Sequence, residues 1–185
     1  MRLVQRELHD RLRTEARANH QRVADLARAL DPEQLVRRPQ PASWSVAEVL
    51  EHLCVVDELS RESVMTLVAT APRDAGAPLR EWKSTFIGGL IAGGLEKPRR
   101  MGAPKPFRIG TPRNGVVEDF LARDSRFLQA MDDAASLDWR ALRLRSAALP
   151  RFAPTINLGD SFRINVVHVR RHLGQMERAV QSVRA

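Results

Sequence analysis

The chain has 185 residues, 43% of them hydrophobic, enough for one domain (1–185) with a sizeable core and too few to expect two. Its formal charge is +8, but nearly all the positive charge is arginine, with lysine only at Lys83, Lys97 and Lys105, and it is dispersed, so no nucleic-acid partner is expected. The single cysteine, Cys54, excludes a disulfide framework or a cysteine-rich zinc module. No run approaches the ~20 apolar residues of a membrane span, and no signal-peptide core opens the chain, so a cytoplasmic protein without a membrane partner is expected.

Val4, Leu8, Leu12, Val23, Leu26 and Leu30 recur at helical spacing, which predicts a long amphipathic helix from Leu3 to about Leu30. His9 and His20 lie on its shoulder and read as solvent-edge side chains. Asp31-Pro32 ends the run or starts a short extra turn, and Pro39 and Pro41 exclude a helix interior beyond it.

Ser45-Val46-Ala47-Glu48 has the form of a capping box, so a second long helix begins at Ser45. Val46, Val49, Leu53, Val56, Leu59 and Leu67 predict its buried face, with Glu51, Glu58, Arg61 and Glu62 pointing away. His52 falls within the buried face, and Cys54 lies roughly opposite it, which argues against the thiol as a ligand.

Residues 71–114 are rich in proline and glycine and read as a long crossover covering one end of the domain, with a helical turn or two expected between Phe86 and Leu95. Asn114 is the expected N-cap of a third helix over about Val116–Ala135. Asp124 falls on that helix's apolar arc, where a carboxylate needs an arginine, a histidine or the surroundings of a metal as partner. Residues 136–158 form a broken, mixed connection.

The fourth helix, over residues 161–181, sets His168 and His172 four apart and therefore on one face. Phe162, Val166, Val169, Leu173, Met176 and Val180 form its apolar arc, and Arg163, Arg170, Arg171, Glu177, Arg178 and Gln181 an arc that faces water. Beside the apolar arc, and turned away from the arginines, runs a polar stripe of Ser161, Asn165, His168, His172 and Gln175. Buried polar groups left unpaired cost about 1–3 kcal/mol each, so either a bound ion or hydrogen bonds to neighbouring helices must satisfy the stripe. With His52, the chain aims three imidazoles inward.

The segment from Trp44-Ser45 to Glu51-His52-Leu53, paired with His168-Val169-Arg170-Arg171-His172-Leu173-Gly174-Gln175-Met176, resembles the opening of helix two and the HxxxHLGQ segment of the DinB-like superfamily, which includes YfiT-type thiol transferases and mycothiol-dependent maleylpyruvate isomerases. The resemblance spans nearly the whole chain and is weakest over residues 71–114, where substrate choice would reside. It implies an all-α, up-down-down-up four-helix bundle with a divalent ion, zinc or nickel, held by His52, His168 and His172. Gln175 and Asn165 are then candidates to orient those ligands, or core polar residues bonded to backbone, and Asp124 is a third candidate from its place on the apolar arc of the third helix.

Two functions stay open on this reading. One is a metal-dependent hydrolase, transferase or isomerase acting on a low-molecular-weight thiol or related small molecule. The other is a non-catalytic metal-bound bundle serving as a binding or stress-associated module. Leu3, Leu50, Cys54 and Met65, outside the main buried arcs of helices one and two, suggest a homodimer.

Overall fold

The amphipathic runs account for four long helices in the computed structural model, which describes residues 1–97, 107–146, 149–150 and 152–184. The helices in chain order are α1 (Gln5–Arg28), a short α2 (Pro32–Val36), α3 (Val46–Thr70), α4 (Phe86–Glu96), α5 (Val116–Asp133) and α6 (Leu158–Arg184). Two small antiparallel pairs complete the secondary structure, β1 (Arg2–Val4) with β2 (Glu81–Lys83) and β3 (Arg143–Leu144) with β4 (Ile156–Asn157). Lys105, Pro98, Pro104, Pro106 and Gly102 of the expected crossover lie outside the described residues.

The start of the first helix differs from expectation because Leu3 pairs opposite Trp82 in β1–β2, and α1 begins only at Gln5. Asp31 caps α2 by accepting from the Gln34 backbone N–H, so the Asp-Pro step starts an extra turn. At α3 the Ser45 hydroxyl accepts from the Glu48 N–H and the Glu48 carboxylate from the Ser45 N–H, closing the capping box. The N-cap of α5 is Gly115 rather than Asn114. Its φ of 69° is in the left-handed region that glycine adopts without steric penalty.

The buried side chains form two clusters. One joins the N-terminal half of α1 (Leu8, Leu12) to the C-terminal halves of α3 (Val64, Val68) and α5 (Met131) and to the start of α6 (Leu158, Phe162). The other joins the C-terminal part of α1 (Val23, Leu26) to the starts of α3 (Val46, Val49) and α5 (Val116, Phe120) and to the second half of α6 (Leu173, Met176). Each fully buried Leu, Val, Phe or Met side chain contributes about 1.5–3 kcal/mol relative to exposure, so the two clusters supply the main attraction between the helices.

Face assignment fails at the start of α3, where every residue from Val46 to Cys54 is buried. Leu50 and Cys54, expected outside the buried arc as part of a dimer surface, are both 0% exposed within the chain's own second cluster. Glu51 is buried as well, held by Arg113. Leu59, expected inside, is 49% exposed, because the all-round packing ends before it is reached.

The segment expected to hold one or two helical turns contains an eleven-residue helix, α4, strapped along α6. Asp160 accepts from the Ser84 and Thr85 hydroxyls and the Thr85 N–H at one end, and Arg171 donates to the Leu95 and Lys97 carbonyls at the other. A Cβ on Gly88 would stand 2.2 Å from the Asp160 carboxyl carbon, so α4 reaches this anchor only with glycine there. Because α4 covers part of the arginine arc expected to face water, Arg163 is mostly enclosed and pairs with Glu96 at 3.0 Å.

Candidate metal centre

The whole polar stripe expected on α6 (Ser161, Asn165, His168, His172 and Gln175) opens into a groove of about 1370 Å³ rather than into the core. His52 enters the same groove from α3, and the three histidines bring ligand atoms that all lie within 4.8 Å of one another. His168 Nε2 is 3.3 Å from His52 Nε2 and 3.1 Å from His172 Nε2. The nitrogens of a tetrahedral site with Zn–N bonds of 2.0–2.1 Å stand about 3.3–3.4 Å apart, so these edges fit one ion.

The outer hydrogen bonds fix which nitrogen each ring offers. His52 Nδ1 lies 3.0 Å from the Phe107 carbonyl, and His172 Nδ1 lies 3.0 Å from Gln175 Oε1. An oxygen of either kind only accepts here, so both Nδ1 atoms donate their protons and the neutral rings keep Nε2 lone pairs turned inward. A single proton on His168 Nε2 serves only one of those two lone pairs. A cation at the point of convergence serves all three.

The surroundings keep the rings neutral. Burial lowers the His52 pKa against the opposing pull of its bond to Phe107. Burial also lowers His172 to about 3, with the His52 ring as the next cause, and it pushes His168 well down, reinforced by His172, His52 and Arg171. Coordination needs the neutral ring, so the three are already in the binding state at pH 7. No carboxylate touches them among the described residues, so a divalent ion here would keep its full charge as a Lewis acid.

Trp44 packs over the centre, its ring tilted against His52 at 5.1 Å and stacked on His172 at 6.2 Å. The Phe107 carbonyl is placed by the segment that follows it, where Arg113 gives its backbone N–H and its guanidinium to Glu51 and also reaches Glu58 and Asp119. The Glu51 carboxyl is held below its usual range, chiefly by these hydrogen bonds. No pattern in the sequence marks Phe107 for this role, because it acts through its backbone.

Gln175 bonds directly to His172, and Asn165 lines the groove between the histidines and Ser161. Asp124 is 6% exposed and accepts from His20 at 2.9 Å, so its partner is a histidine of α1 and not an arginine. His9 lies against the Trp139 ring with Asp10 and Asp132 beside it. Cys54 is buried on the far side of α3, and burial pushes its thiol up to about 12, which removes it as a ligand or nucleophile at neutral pH.

A sequence model of the DinB superfamily matches residues 15–176, a span that includes all three converging histidines. No curated protein and no solved structure matches the chain. Among the described residues no helix is long and apolar enough to cross a membrane.

Proposed function

Since the chain belongs to the DinB superfamily, we propose that it is a metal-dependent enzyme whose zinc or nickel ion is held by His52, His168 and His172. The reading extends to a single-domain, up-down-down-up four-helix bundle in the cytoplasm, an order supported by the way helix halves pair in the two core clusters. The reaction we assign is transfer or isomerisation of a small electrophile by a low-molecular-weight thiol.

The observation that carries this reading is the pair of inward Nε2 lone pairs fixed by Phe107 and Gln175 beside an open groove. A bound divalent ion supplies Lewis acidity that favours the thiolate or hydroxide form of a ligand at neutral pH. The chain's own part is to hold three neutral imidazoles in fixed orientation, to cover one side with Trp44 and to leave the groove side open. That opening favours an enzyme over a closed metal-bound module.

The test is metal analysis of the purified protein, followed by a thiol-conjugation screen on the nickel- and zinc-loaded forms. About one equivalent of metal, lost in His52→Ala, with thiol-dependent turnover in the loaded form is the expected result. Absence of tight metal binding by the wild type overturns the centre. Tight binding without turnover across the screen favours the non-catalytic module.

A further inference from the structure

The groove is larger than the 300–1,000 Å³ that encloses a typical small ligand, and its two halves differ in character. Its lining residues on α6 run from Ser161 to Ser182, a span of about 32 Å at the helical rise, with the three histidines near the middle. Toward the start of α6 it is walled by Val64, Ile91, Phe127, Leu144, Ile156 and Ile164. Toward the end of α6 the walls are Gln40, Ser43, Gln175, Arg178 and Ser182.

Positive charge predominates along the groove, whose walls include Arg61, Arg126, Arg170 and Arg178. Among the described residues two carboxylates, Asp57 and Glu96, line the groove, and both are engaged by arginines: Asp57 by Arg61 and Arg123, Glu96 by Arg163 and Arg170. Arg126 and Arg178 line the groove without a carboxylate partner among the described residues, and Arg178 is the one beside the histidines. Its side chain lies back over Gly174, where a Cβ would stand 3.5 Å from a guanidinium nitrogen, which places the charge on the turn that carries His172 and Gln175. An arginine so placed is a ready partner for a carboxylate or sulfonate.

We propose that the groove binds an amphipathic anion, with an aliphatic or aromatic portion in the half walled by Val64, Ile91 and Phe127 and the anionic group at Arg178. The point between them lies at the three histidines. Placing the reacting atom at that point rests on the metal reading; the binding of the two ends does not.

Decanoate, acetate and decyltrimethylammonium serve as probes, titrated into chelator-treated wild type, Arg178→Gln and Ile91→Gln with calorimetric detection. Decanoate should bind the wild type. Arg178→Gln should weaken it about fivefold, the scale of one solvent-accessible ion pair, and acetate should bind far more weakly. Ile91→Gln should weaken decanoate while leaving the folded baseline intact, checked by circular dichroism.

Equal binding of decanoate and decyltrimethylammonium overturns the anionic end, and equal binding of decanoate and acetate overturns the apolar half. Nickel titration of the same samples without probe separates the two readings. Nickel binding with no decanoate binding sinks the groove assignment alone, whereas arginine-dependent decanoate binding with no nickel binding sinks the metal centre alone.

Discussion

His20 and His172 meet opposite kinds of partner. His20 faces the Asp124 carboxylate at 2.9 Å, and His9 likewise has Asp10 and Asp132 beside it. His172 and His52 instead face an amide oxygen and a backbone carbonyl, and both turn their remaining nitrogen on His168. Their carboxylate neighbours tie the first two rings to Asp10, Asp132 and Asp124 within the fold. Oxygen partners of zero charge fix the tautomer of the other rings and leave their lone pairs available. What separates the two groups is the second nitrogen: the Nε2 atoms of His52, His168 and His172 converge, whereas His9 and His20 lie outside that cluster.

The largest effect should come from exchanging members of the two classes. His172→Ala or His52→Ala should weaken nickel or zinc binding by more than the roughly 10–100-fold that loss of an outer partner costs, measured by titration calorimetry. His20→Ala should lower stability but leave metal affinity close to wild type. A comparable loss of affinity in His20→Ala would break the division.

Acid should act next. Unfolded histidine protonates near pH ~6.5, whereas folded His172 does so only near about 3, and His52 and His168 are also depressed. Between these values the unfolded chain binds more protons, so stability is full above about pH 6.5 and falls as pH drops toward about 3. Asp124 works in the other direction. Burial pushes its carboxyl up to about 6 against the pull of His20, so its contribution is full below the unfolded carboxylate range and is lost as pH rises through about 6. Urea unfolding of the metal-free protein across this range should therefore show a steeper acid loss in Asp124→Asn than in wild type. A shallower loss would contradict both assignments.

Metal should stabilise a fold that does not depend on it. Saturation at about 100 Kd adds roughly 2.7 kcal/mol, and in a chain of this size each kcal/mol raises Tm by about 2–4 °C. Melting with chelator should leave the helical signal intact at room temperature, and His172→Ala should show no metal-induced rise. Loss of helicity on chelation would sink the self-sufficient core.

The smallest effect expected is at the outer hydrogen bond. Gln175→Leu removes the acceptor of the His172 Nδ1–H and should reduce metal affinity about 10–100-fold, with Gln175→Glu recovering part of it.

What the sequence made legible follows from periodicity. The α6 stripe and the inward His52 could be read because i, i+4 spacing fixes a face whatever packs against it. Glu51, Leu50 and Cys54 could not, since α3 is enclosed on all sides over that stretch and a face argument presumes an open side. The glycines of α4 argued against a long helix, yet Gly88 is the residue that lets the helix sit against Asp160, a tertiary contact that overrides propensity. The link between Glu51 and Arg113 joins residues far apart in the chain, and the Phe107 carbonyl has no residue-type signature.

Enclosure of the Val46–Cys54 segment also has a kinetic side. Backbone amides inside a helix and away from solvent exchange their hydrogens only on large-scale opening, so the part of this stretch past its first turn, residues 49–54, should rank among the slowest to take up deuterium. His52 is thus carried by a foldon that opens globally, while the carbonyl orienting its ring belongs to the irregular segment before α5. Local opening there would let the imidazole rotate while its backbone stays in place. Metal release would then follow the exchange rate of the Phe107 neighbourhood and not that of α3.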